Sequence, residues 1–102
     1  MAEWIYFLHP PRDNFAATMT EDERLVFGAH FEHLQRLLTD GSLILAGPSL
    51  GEQNTGICVF EADDETAAAT VMNADPVIAH GVCAGELRPF RVSLLRGRTP
   101  GP

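Results

Sequence analysis

The chain has no apolar run near the ~20 residues that a membrane-spanning helix needs, and no charged-then-apolar leader follows Met1. A soluble cytoplasmic protein is the expectation. Cysteine is scarce: Cys58 and Cys83 stand alone, without a CxxC pair, too few for a disulfide framework. Both read as small buried hydrophobes in strands. Basic residues are few, 7 against 14 acidic ones, and the formal charge of −7 disfavours nucleic acid as a partner. Phosphate-binding and dinucleotide fingerprints are missing too. Gly47-Pro48-Ser49-Leu50-Gly51 lacks the lysine and the following helix that a phosphate loop needs. There are no internal repeats. What is there is a 102-residue chain, 45% hydrophobic, enough for one domain with a modest core. That domain is placed at residues 1–95. A basic tail rich in Gly and Pro, residues 96–102, is expected to be mobile.

The acidic residues are not scattered. Many lie in Glu21-Asp22-Glu23 and Asp63-Asp64-Glu65, where helices should begin, and acidic groups stabilise helix N-termini. Thr20 with Glu23 forms a capping box. The helix it opens should run to about Thr39 or Asp40, with Gly41 as the left-handed stop. Asp63 or Asp64 caps a second, Ala-rich helix to about Ala74, which Pro76 ends by disfavouring helical geometry at Asp75. Trp4–His9, Leu43–Ala46 and Ile57–Glu61 have the length and composition of strands, and Val82–Leu95 contains a fourth. Pro89 argues for a bend or an edge position there. Asp13–Met19 and Gly51–Gly56 read as loop and turn.

The resulting order is βαββαβ, an α+β chain of the ferredoxin-like kind, with an antiparallel sheet in order 4-1-3-2 and both helices on one face. Strand alternation then raises a problem. Trp4, Tyr6 and Leu8 alternate with Ile5 and Phe7, and Ile57 and Val59 alternate with Cys58 and Phe60. Both faces of the sheet are therefore apolar, whereas a one-sided sheet carries polar residues at every second position. Two short helices cannot cover two faces. A second copy of the chain, packed sheet to sheet, is the simplest cover.

Two polar residues fall where core residues belong. At about 100° per residue, His30 lies within about 40° of Val26 and Leu34, inside the apolar stripe of the first helix. His33 falls nearer the edge of that stripe and reads as exposed. On the second helix Ala68, Val71, Met72 and Asp75 follow the i, i+3, i+4, i+7 rule. The topology brings Asp75, His9 and Ser49 to one end of the sheet, with His30 facing it below them. A carboxylate bonded to one imidazole nitrogen fixes the tautomer and stabilises the imidazolium formed on proton abstraction. The plainer account has His30 bonded to backbone and Asp75 capping a turn before Pro76.

His30 followed by Gly41, Leu45-Ala46-Gly47-Pro48, Ala74-Asp75-Pro76 with Gly81, and Glu86-Leu87-Arg88-Pro89-Phe90 together resemble the YciI-like (YCII-related) family. His9-Pro10-Pro11-Arg12 and Met19-Thr20-Glu21-Asp22-Glu23 resemble one subgroup of it. The resemblance implies a dimeric α+β barrel, with the proposed catalytic histidine at His30 and the aspartate at Asp75. Some relatives are enzymes of aromatic breakdown, including a lyase-type dehalogenation, but the family name does not fix a reaction.

The remaining candidates are secondary. His9 and Arg12 could line a substrate cleft, Arg12 by binding a carboxylate. Ser49 is placed with them as substrate-binding, without the strand–turn–helix context of a nucleophile. His80 reads as a loop residue. A metal site on His30 and His33 lacks a third ligand, so no metal is expected. Two classes remain. One is a small enzyme of lyase, isomerase or hydrolase type, needing no cofactor, that acts on an aromatic or unsaturated metabolite. The other is a non-catalytic domain that binds a small molecule or a partner protein.

Overall fold

Trp4, Tyr6 and Leu8 project from the helix-covered side of the first strand, and the rest of the molecule is arranged around them. The protein is described by a computed structural model over residues 2–98. Strand β1 (Ala2–His9) is central. It pairs antiparallel with β3 (Gly56–Ala62) on one side and β4 (Ala84–Phe90) on the other, and β2 (Leu43–Pro48) flanks β3. The order β2-β3-β1-β4 is the expected 4-1-3-2 read from the opposite edge. Helices α1 (Phe15–Thr18), α2 (Glu21–Asp40), α3 (Glu65–Asn73) and α4 (Pro76–Ala79) complete an α+β, ferredoxin-like βαββαβ fold.

Helix α2 begins and ends where its sequence dictates. The Thr20 hydroxyl accepts from the Glu23 N–H at 3.1 Å, and the Glu23 carboxylate accepts from the Thr20 N–H at 2.8 Å. At the other end Gly41 has φ +89°, and its N–H reaches the carbonyls of Leu37 and Leu38. Asp64, of the two candidates, caps α3 through the Ala67 N–H. The core lies between sheet and helices. Tyr6, Cys58, Phe60 and Ala62 meet Ala68 and Val77, with Val26, Phe27, Leu34, Val71 and Met72 packed around them. Full burial of a residue such as Phe60 or Val77 is worth about 1.5–3 kcal/mol.

Four local features differ from the sequence reading. The loop after β1 contains a helical turn, α1, held by the buried Phe15 and by bonds to the β2–β3 loop: Asn14 N–H to Glu52 O and Ala16 N–H to the Asn54 side chain. Pro76 stops α3 but also starts α4, because proline at the first helical position loses nothing by lacking an N–H. Cys83 is buried but precedes β4 rather than lying in it. His33 is not exposed at the stripe edge; it is buried, 8% accessible. Its ring comes within reach of the Val71 backbone in α3. Pro89 lies within β4, and its edge position makes the missing N–H harmless.

The opposite sheet face carries Ile5, Phe7, Ile57, Val59, Leu45 and Phe90, by register and alternation. Leu45 and Phe90 remain exposed there. The segment after β4 returns to this face. Glu3 accepts from the Val92 N–H at 2.8 Å and pairs with Arg98 at 3.0 Å. Arg98 is thus the last described residue of the tail; positions 99–102, and the mobility expected of them, lie outside the described residues.

Candidate functional site

Three elements bring three polar side chains together beneath the helices. The proline at position 76 holds Asp75 in extended geometry (φ −64°, ψ 125°), so Asp75 becomes the N-cap of α4 and its carboxylate turns inward. Its Oδ1 accepts from the Val77 N–H at 3.2 Å. From the middle of α2, the His30 Nδ1 lies 2.8 Å from both Asp75 oxygens. From the centre of β1, the Tyr6 hydroxyl donates to Asp75 Oδ2 at 2.7 Å. Asp75 has no accessible surface, and the His30 side chain retains 12%.

The bonding pattern assigns roles. Asp75 receives hydrogen bonds from a backbone N–H and a phenol O–H, as only an acceptor can. The His30 nitrogen facing it therefore carries the proton. Nε2 is left as the basic nitrogen, and it bonds to no group among the described residues. Phe27 packs edge-on against the His30 ring with centroids 5.1 Å apart, and Phe15 stands behind Phe27 at 5.4 Å. This fixes the imidazole plane, so the ring is held by a hydrogen bond at one end and aromatic packing at its side. Burial raises the Tyr6 pKa far above its ordinary value, keeping the phenol a donor. Burial likewise pushes the Cys58 thiol up to about 12 and the Cys83 thiol up to about 11. Neither thiol is poised as a nucleophile.

His30 and Asp75 are thus in direct contact, and the capping role of Asp75 coexists with the pair. The bonding of the other sequence-selected residues lies elsewhere. His9 is exposed at the end of β1 and bonds Glu86 at 3.0 Å. Arg12 grips Glu23 through two nitrogens, at 3.0 and 2.7 Å, and lies over the Phe15 ring, so its charge is already engaged. The Ser49 hydroxyl donates to the Gln53 carbonyl at 2.6 Å and accepts from the Thr55 N–H, an arrangement that shapes the β2–β3 loop. His9 and Arg12 do share the wall of one cavity of about 300 Å³, with Pro10, Asn54 and Thr55. His30 and Asp75 do not line it. Among the described residues no group of three or more His, Cys, Asp or Glu side chains could hold a metal.

Tyr6 is a member of the site that the sequence pattern does not mark. Its strand position placed it in the core, where a tyrosine is ordinary, and the signal was its hydroxyl: a buried phenol needs an acceptor. His80 caps the end of α4 through its backbone and is exposed, as a loop residue would be.

An α+β, ferredoxin-like fold with a buried histidine–aspartate pair under its helices is the class these features define. The YCII-related domain model matches residues 4–91, and the chain belongs to that family. Among solved structures it is similar to 5-chloro-2-hydroxyhydroquinone dehydrochlorinase from Burkholderia phenoliruptrix, in complex with 2,5-dihydroxybenzoquinone. The TM-score is 0.66 at 18% identity, over 89% of this chain and 94% of that one, a likeness of fold. No curated protein matches the chain.

Proposed function

We propose that this protein is a small-molecule enzyme of lyase or isomerase type in which His30 Nε2 is the general base and Asp75 orients and stabilises it. The observation that carries the reading is the fully buried Asp75 carboxylate, 2.8 Å from His30 Nδ1. In the step proposed, Nε2 takes a proton from an O–H or C–H of the substrate. The released electron pair forms a new π bond to the neighbouring carbon; in an isomerisation that carbon's existing π pair shifts to the next atom, which takes the proton back from the imidazolium. In an elimination, the leaving group departs from the adjacent carbon with its own bonding pair. The imidazolium formed faces Asp75, which lowers the energy of that charge. Neither step calls for a cofactor. The substrate class proposed is a small hydroxylated aromatic or unsaturated compound, supported by the activity of the similar dehydrochlorinase.

We also propose that the working unit is a homodimer joined through the apolar sheet face, supported by the exposed Leu45 and Phe90 beside Phe7 and Ile57.

The test is a panel of chlorinated and unchlorinated di- and trihydroxybenzenes. Chloride release and quinone absorbance would be followed, together with deuterium uptake from D2O. Turnover by the wild type that is lost in His30→Asn supports the reading. Binding of 2,5-dihydroxybenzoquinone with no turnover across the panel would overturn it, leaving a binding domain.

A further inference from the structure

Asp75 is held by a residue that takes no part in the step above. Tyr6 lies in the central strand, without accessible surface, and its hydroxyl donates to Oδ2, one of the two oxygens that His30 Nδ1 faces. The phenol and the imidazole therefore share one carboxylate. We propose that Tyr6 is a positioning residue which sets how strongly His30 holds its proton, by withdrawing electron density from the Asp75 oxygen that faces the ring.

The chemistry is that of competing donors. A carboxylate oxygen that accepts a phenol hydrogen bond is a weaker acceptor toward its second donor. An unencumbered Asp75 would hold an imidazolium more tightly, making His30 slower to release a proton and Nε2 less often free. With Tyr6 in place the pair is damped. Tyr6 cannot itself ionise to confuse the effect, because burial holds it in the O–H form. Its ring is fixed independently of its hydroxyl, by edge-to-face packing on Phe60 with centroids 5.6 Å apart. Removing the oxygen alone therefore leaves the ring in place.

The other titratable groups near the pair do not supply a competing charge. His33, on α2 one turn from His30, is shifted down by burial and stays neutral near pH 7. Cys58 on β3 and Cys83 before β4 are held as thiols. The Asp75 carboxylate is the anion His30 faces, and Tyr6 is the side chain other than His30 that donates to it.

The proposal rests on the hydrogen-bond chain and holds whether the pair catalyses or only binds, so its test needs no substrate. The His30 ring is titrated by NMR in the full chain, assigned by loss of its signal in His30→Asn. In Tyr6→Phe the His30 midpoint should move to higher pH by about half a unit or more, a fraction of the roughly one to two units that a hydrogen bond to a charged group is worth, because the loss reaches His30 only through Asp75. Phe60→Leu is the control. It loosens the Tyr6 ring while keeping the O–H, and should leave the midpoint where it is. A Tyr6→Phe midpoint that stays put or falls, in a protein whose spectrum remains dispersed, overturns the proposal. So does an equal shift in Phe60→Leu, which would make the effect one of packing.

Discussion

Asp75 stands forty-five residues from His30 in the chain, yet both of its carboxylate oxygens lie 2.8 Å from the same ring nitrogen. One residue comes from the middle of a long helix and the other from the kink that Pro76 makes between two short ones. Contact this close makes them one unit. His30→Asn and Asp75→Asn should each abolish most of whatever activity or ligand affinity the panel reveals. The double variant should lose little more than either single one, because groups that act together fail together. Losses that add across the double-mutant cycle would show that the two act separately.

Asp75 also has structural work to do. Asp75→Leu would leave the Tyr6 hydroxyl and the Val77 N–H unpaired in the core, and would strip the part-buried His30 Nδ1–H of its acceptor as well. A stability loss of about 2 kcal/mol or more is expected from two orphaned buried donors. Asp75→Asn keeps an acceptor and should cost less. Urea midpoints for the two variants check the order, and reversed costs would mean that the buried charge itself is the burden.

Gly41 has φ +89°, with no atom near the position a Cβ would take. The penalty for a side chain there is therefore backbone strain, free of any clash. Gly41→Val should cost about 1 kcal/mol or more, read from the unfolding midpoint. A neutral result would mean that α2 can end otherwise.

The fold was largely readable because its punctuation is local. Thr20-x-x-Glu23, Gly41, Asp64 and Pro76 mark helix ends by chemistry within four residues, and each does so in the structure. His30 and Asp75 were readable because each breaks an apolar stripe. The rest depended on tertiary facts that periodicity does not carry. Phe15 becomes a buried anchor only because the β2–β3 loop binds Asn14 and Ala16. Tyr6 joins the site only because the strand passes under Asp75. Arg12 pairs with Glu23 across eleven residues, and nothing in its own neighbourhood favoured that partner over a substrate.

That pair predicts a pH response. The Arg12 guanidinium and the Thr20 N–H hold the Glu23 carboxyl below its ordinary 4.5, at about 2. A carboxyl whose folded-state pKa is depressed contributes stability that is complete above the unfolded value and lost as pH falls through the folded one. The loss should fall between about pH 4.5 and 2. Glu23→Gln should flatten that part of the acid limb in a urea series, and an unchanged limb would show that the pair is too solvated to matter.

His33 gives the opposite kind of signal. Its ring is buried, and Nε2 finds no partner among the described residues. Burial lowers its pKa below the ordinary 6.5, so the unfolded chain takes up a proton there more readily than the folded one. By linkage, stability then falls as pH drops below about 6.5. Replacing His33 by an apolar residue of similar size removes the partnerless Nε2, a gain set against the ring's weaker contact with the Val71 backbone. His33→Leu should therefore match or exceed the wild type in urea midpoint at pH 7, and its advantage should widen from pH 7 to 5.5. If His33→Leu is instead less stable at both pH values, Nε2 is satisfied by a buried water whose hydrogen bond the leucine cannot replace.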